Sequence, residues 1–406
     1  MLKPKLKHLR HPLRTLDMAK RMIATHFEMR AFADHADREF AEDPRYNLQN
    51  VTAGFAGRAD IDTDDTALLK RICAAYQATI SHRGHPAYRV TGWWQEVRNR
   101  SLGPVRKALL MHDIAALRGM YANFFRDSCS TGLTSVPYGM TGAYFGGKMT
   151  DLHRRVYLAD TLYRLDYWRR ETGDRFPLRD LAIPPIGNPY GVCLEGTLVS
   201  ARAEFHHRCA ERVAGLLESN LSMVVEIGGG FGAMAYYLLR GQPNIKYVDF
   251  DLPESTALAT YYLVKAFPHK KFLLFGETPL TGEAIADADV ALLPLFAMER
   301  LRTASVDVTF SSHAMSDIES AELASYLETI HRVTRHRFLF VRATALPGMP
   351  DLLGDHGDLL HLEEHRQLDW SSHRQPQADE TESLYSFNRA GQRTHSAERS
   401  LAHVDR

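Results

Sequence analysis

Residues 224–233, Val-Val-Glu-Ile-Gly-Gly-Gly-Phe-Gly-Ala, constrain this chain more than any other stretch, because a short apolar strand enters a glycine loop that opens directly onto a helix. Glycine lacks a Cβ, so such a loop turns tightly, reaches positive φ and brings backbone amides close to a ligand. The residues that follow, Ala233 to Leu239, read as a helix whose free N–H groups and dipole favour an anionic group at its start. About two dozen residues after the loop begins, a second strand, Tyr247-Val248-Asp249-Phe250, delivers Asp251 at its carboxyl end, where a ribose-binding carboxylate belongs. The unit marks an α/β fold with a nucleotide-type cofactor site.

The identity of that cofactor rests on detail, since Gly228-x-Gly230-x-x-Ala233 also satisfies the dinucleotide fingerprint. Glu226 stands two residues before the loop, glycine recurs at Gly228, Gly230 and Gly232, and the second strand runs into Asp251-Leu252-Pro253-Glu254. This combination resembles the S-adenosylmethionine (SAM) site of Rossmann-like class I methyltransferases. The resemblance implies that the loop Gly228, Gly229, Gly230, Phe231 and Gly232 meets the methionine part, Glu226 its ammonium group or a nearby ordered water, and Asp251 the ribose, with Leu252 also beside the cofactor. An NAD-dependent oxidoreductase and a non-catalytic SAM-binding protein are the alternatives.

The surrounding chain has 406 residues, 45% hydrophobic and 24% charged, which suffices for two domains with a full core. Lys and Arg total 49, as do Asp and Glu, so no polyanion partner such as nucleic acid is indicated. Lys3 to Arg14, interleaved with leucines, read as a solvated basic arm or helix. Cys73, Cys129, Cys193 and Cys209 show no C-x-x-C spacing and read as free thiols. No apolar run approaches the roughly 20 residues of a membrane span, so no stable membrane insertion is expected and the cytoplasm is the expected location.

From Leu16 to about Ala122 the periodicity is helical, with apolar i, i+3, i+4 spacing in 65–78 and 105–125. A glycine-rich connector spans 138–147, and 151–172 form another helix. The proline-bracketed stretch 183–191 then breaks regular structure. These signals predict a helical region over 1–180, a linker loop and connecting helix over 181–220, a cofactor domain over 221–390 and a mobile tail over 391–406. Within the cofactor domain, helix 254–267, strands 271–275, 288–293 and 306–311, helix 319–333 and strand 337–341 alternate as in a parallel sheet covered on both faces. Segments 359–368 and 384–387 can supply a closing antiparallel hairpin.

Four segments, Gly187 to Gly191, Glu226 to Gly232, Asp251 to Glu254 and Ser311-Ser312-His313-Ala314-Met315-Ser316-Asp317, together resemble the sugar O-methyltransferases, a SAM-dependent family, over roughly 113–387. In plant-type O-methyltransferases a His-Asp-Trp-Ser-Asp stretch at the last of these places carries the general base. The chain retains the His, the Ser and the final Asp, but not the intervening Asp and Trp. The resemblance therefore implies His313 as catalytic base, Ser312 beside the cofactor, and a small-molecule or glycan substrate. Ser316 and Glu319 form a capping-box pattern for the following helix. Asn188 and Tyr190, in the proline-bracketed loop, are the expected acceptor-binding residues, whereas Trp93, Trp94 and Trp168 read as core. No metal site is expected: His361-Leu362-Glu363-Glu364-His365 matches a zinc pattern letter for letter but lacks an evident third ligand. A homo-oligomer is left open.

Overall fold

The computed structural model describes residues 12–56, 64–82, 84–85, 92–134, 144, 149–219, 221–317, 320–343, 359–370 and 380–387. The basic residues 3–11, the glycine connector around 138–147 apart from Tyr144, Glu319 of the capping box and the tail 391–406 lie outside the described residues.

Two sheets form. A small antiparallel hairpin pairs β1 (Gly191–Leu194) with β2 (Thr197–Ser200). The main sheet holds β3 (Met223–Ile227), β4 (Lys246–Asp251), β5 (Phe272–Leu274), β6 (Val290–Pro294), β7 (Val306–Ser312), β8 (Thr334–Ala343), β9 (Leu360–Leu368) and β10 (Glu380–Phe387). Their order is β5-β6-β4-β3-β7-β8-β10-β9, parallel except for β10, which runs antiparallel to both neighbours. The chain leaves β3 toward β4 on one side and returns to β7 on the other. This reversal opens a crevice at the carboxyl ends of β3, β4 and β7, where open α/β sheets bind ligands.

Alternation along the strands feeds two cores. Val224, Tyr247, Leu292, Val308, Phe310 and Val341 face one side and join the N-terminal helices in a single cluster. Val225, Ile227, Val248, Phe250, Phe338 and Phe340 face the other, against helices Gly282–Asp287 and Ser320–Val333. Helices thus cover both faces, and the N-terminal helical region shares its core with the sheet. Tyr121 packs tilted against Tyr261 with ring centroids 5.3 Å apart, Phe124 likewise against Phe231 at 5.5 Å, and Lys265 pairs with the buried Asp65 at 2.9 Å.

Two local readings change. The apolar pattern over 105–125 divides into helices Gly103–Leu110 and Ile114–Tyr121, because Asp113 caps the second through a bond from the Ala116 amide at 3.0 Å. The linker contains the hairpin β1–β2, whose four-residue strands carry no long alternation.

Candidate functional site

The crevice is a cleft of about 400 Å³ lined by Glu226, Gly228 to Phe231 and Asp251 at its floor, and by Ser312, His313 and Ala314 from the end of β7. The helical region adds Trp94, Gly132 and Leu133, while helix Ala203–Ala214 and the residue before it add Arg202, Phe205, His206 and Cys209. Glu226, Gly228, Gly229, Gly230, Phe231, Asp251, Ser312 and His313 are therefore brought to one place, as the sequence indicates. Gly232 closes the loop into the next helix. Leu252 contributes a backbone amide to the site while its side chain enters the opposite core.

The loop needs its glycines. Gly228, Gly230 and Gly232 have φ of 80°, 64° and 90°, and a Cβ on Gly228 would lie 2.0 Å from the Ala314 methyl carbon. The loop amides, however, do not wait for a ligand. Gly228 N–H donates to the Phe250 carbonyl, Gly229 N–H to Asp249 Oδ1 and Gly230 N–H to Asp251 Oδ2, each at 2.9 Å. Expecting these three amides to face the cofactor is thus corrected: the acids of β4 take two of them, and the floor presents carboxyl groups. The Leu252 amide bonds Asp251 Oδ1 at 2.6 Å, so both carboxyl oxygens are oriented before any ligand arrives. Phe231 packs against Phe124, Phe125 and Tyr262 and also reaches the cleft wall.

Burial dominates the electrostatics of this floor. It pushes Glu226 up to about 8, against the Tyr247 hydroxyl that donates to Oε2 and with Asp251 adding to the rise. Asp251 rises to about 7, chiefly by burial, despite its two amide donors. Glu204, buried near Arg164, reaches about 7 for the same first reason. In all three the folded chain holds protons that an unfolded chain has released above about pH 4.5. The contribution of these three groups to the stability of the ligand-free protein is thus fully present below that pH and declines as pH rises toward 8. We expect the thermal midpoint to fall by roughly 5 °C between pH 5 and 8.5. Glu226→Gln, which retains the neutral shape, should flatten the slope; an unchanged slope in scanning calorimetry would remove Glu226 from this account.

At the acceptor end, His313 has φ of 62° and is anchored by its amide to the Val341 carbonyl at 2.9 Å. Its Nε2 lies 3.3 Å from Glu380 Oε1, within ion-pair range. Glu380, on β10, also accepts from Arg202 Nη2 at 2.7 Å. Burial would raise this carboxyl, but Arg202 and His313 outweigh it and hold the group well below the usual range. Arg202 stacks over Phe205 at 4.2 Å, and Phe205 lies 5.9 Å from the His313 ring. His206, beside them, is lowered to about 3 by burial and then by Arg202 and His313.

Asn188 and Tyr190 do not reach the cleft. Asn188 bonds Asn123 Oδ1 at 2.9 Å, and Tyr190 is fully buried among Phe55, Tyr144 and Tyr157. The proline-bracketed loop leads into β1 rather than over the crevice, and Arg202, Phe205, His206 and Trp94 occupy the place proposed for it. Trp94, read as core, lines the cleft; Trp168 is buried. Glu380 and Arg202 escaped sequence reading because no motif marks them. The H-x-x-E-H residues lie on β9, where Glu363 pairs with Arg337 and Glu364 with Arg212. Among the described residues no group of three His, Cys, Asp or Glu side chains could hold a metal, and no helix is long and apolar enough to cross a membrane.

Residues 207–297, from the helix before β3 to the turn after β6, match the family described as O-methyltransferase domain. No curated protein matches the chain. Among solved structures, the chain is similar to the magnesium protoporphyrin IX methyltransferase of Synechocystis with SAH bound, at 12% identity over 56% of this chain and 99% of that one, with a TM-score of 0.31. It is similar to a TehB-like SAM-dependent methyltransferase of Corynebacterium glutamicum, at 13% identity, 56% and 98% coverage and a TM-score of 0.31. It is also similar to the 1,6-didemethyltoxoflavin-N1-methyltransferase of Burkholderia thailandensis with bound 1,6-didemethyltoxoflavin and S-adenosylhomocysteine, at 14% identity, 45% and 79% coverage and a TM-score of 0.31. At this degree of superposition the fold assignment rests on the strand order and crevice themselves.

Proposed function

We propose that this SAM-dependent O-methyltransferase transfers a methyl group to a hydroxyl of a sugar or glycosylated acceptor, with His313 as general base. The observation that carries the reading is the chemistry of the floor. A pyrophosphate needs free loop amides, whereas here Gly229 and Gly230 donate to carboxyl groups and two acids, Glu226 and Asp251, line the cleft. Such a floor can ionise against a cation, which relieves the burial that holds its protons, and it offers nothing to an anionic dinucleotide. When bound, SAM supplies an electrophilic methyl group carried on a sulfonium.

The chain's own residues do the rest. Glu226, fixed by the Tyr247 hydroxyl, would face the ammonium group, and Asp251 would accept from the ribose hydroxyls with the lone pairs its two amide donors leave open. Glu380 beside Nε2 favours the proton on that nitrogen, which leaves the Nδ1 lone pair of His313 for the acceptor hydroxyl. Arg202 braces Glu380 from the far side. Phe205 and Trp94 offer apolar faces for a sugar ring, and Arg202 and His206 offer polar groups at its rim.

Labelled methyl transfer from SAM to paired glycosides and aglycones tests the reading. The label should enter the sugar of the glycoside; label confined to the aglycone would sink the sugar assignment, and no transfer to any hydroxyl would sink the rest.

A further inference from the structure

Three carboxyl groups crowd beneath the glycine loop, yet only Glu226 and Asp251 line the cleft. The third, Asp249, stands directly beside Glu226 in the β3–β4 ladder and is 1% exposed. Its Oδ1 accepts the Gly229 amide at 2.9 Å, while its Oδ2 is buried and has no hydrogen-bond partner. The approach is close: a Cβ at Gly229 would lie 2.8 Å from Oδ1 and 3.1 Å from the Tyr247 hydroxyl oxygen.

No cation is among the principal influences on Asp249. Burial acts first, then Asp251 and Glu226, all opposing ionisation, and only the Gly229 amide favours it. A carboxylate so placed would be an uncompensated buried charge facing two further acids, and protonation is the inexpensive remedy. The protonated group still accepts a hydrogen bond from the amide.

We propose that Asp249 is the positioning residue of the cofactor loop, holding the Gly229 amide through its buried Oδ1. This inference rests on the SAM reading of the site. The hydrogen bond fixes the Gly229 peptide, hence the direction of the next amide, Gly230 N–H, which in turn orients Asp251. Being uncharged, Asp249 adds no third charge when the two acids that line the cleft ionise against a cationic ligand. Asparagine reproduces both the acceptor oxygen and the neutral state; alanine reproduces neither the bond nor the shape.

The experiment compares Asp249→Asn and Asp249→Ala in the full chain, measuring SAM affinity by calorimetry, kcat at saturating SAM, and the Gly229 amide resonance in the ligand-free protein. Asp249→Asn should bind SAM within about 3-fold of the parent and leave the Gly229 resonance near its place. Asp249→Ala should bind about 10-fold more weakly with kcat little changed, and its Gly229 amide proton should move upfield. An Asn variant as weak as the Ala variant, or an Ala variant with parental affinity, overturns the proposal. If Asp249→Ala does not fold, the Asn variant decides alone, and a 10-fold loss there overturns it. The amide resonance needs no ligand. A parent that ignores SAM while Gly229 behaves as described overturns the cofactor reading and supports the loop's pin; a parent that binds SAM while Gly229 ignores the Ala substitution overturns the pin.

Discussion

His313→Ala should slow methyl transfer by roughly 10²–10⁴-fold while leaving SAM affinity nearly intact, the range by which a positioned base accelerates proton transfer. The residue follows β7, its left-handed backbone held by a hydrogen bond from its N–H to the Val341 carbonyl of β8, and its ring is faced by Glu380 from β10. It contributes to none of the hydrogen bonds around Glu226 or Asp251, so the two measurements should separate. His206 is the other imidazole in the cleft, but with a value near 3 it binds a proton too weakly to substitute at neutral pH. His313→Asn, which tolerates positive φ, distinguishes loss of the base from backbone strain: it should be as slow as the Ala variant. Parental turnover in either variant, measured with labelled SAM, would return His313 to a bystander's role.

What the sequence disclosed about this site, and what it withheld, follows from the range of the forces involved. The strand, glycine loop and helix over 223–241 were legible because each signal is local: apolar run, glycines at positive φ, helix formers. Asp251 was legible because it ends the next strand. The partners of His313 were not, since Glu380 lies 178 residues from Arg202 and meets it only because β10 inserts antiparallel between β8 and β9. The loop's hydrogen bonding was hidden for a related reason. Glycines announce that amides can approach something, but not that the something is the chain's own β4. Asn188 and Tyr190 misled because prolines suggest exposure, whereas the aromatic cluster of Phe55, Tyr144 and Tyr157 draws Tyr190 inward. Four apolar rings outweigh a turn signal when a buried site is available.

Asp251→Ala should weaken SAM binding by about 10–100-fold, the equivalent of roughly 1–3 kcal/mol for hydrogen bonds to a charged partner. Two losses combine. The ribose hydroxyls lose their acceptor, and the Gly230 and Leu252 amides, now bonded to Oδ2 and Oδ1, lose theirs, so the loop relaxes before any ligand arrives. Asp251→Asn separates these losses, because one amide oxygen remains to accept and the neutral side chain mimics the protonated acid. With Asp251 pushed up to about 7 by burial, the parent is largely protonated at pH 6 and largely ionised at pH 8. The Asn variant should therefore approach parental affinity at pH 6 and fall behind it at pH 8. Calorimetry with SAM at both values checks this. Parental affinity in the Ala variant would mean that the ribose is held elsewhere, and a gap between Asn and parent that does not widen with pH would mean that the charge on Asp251 plays no part in binding.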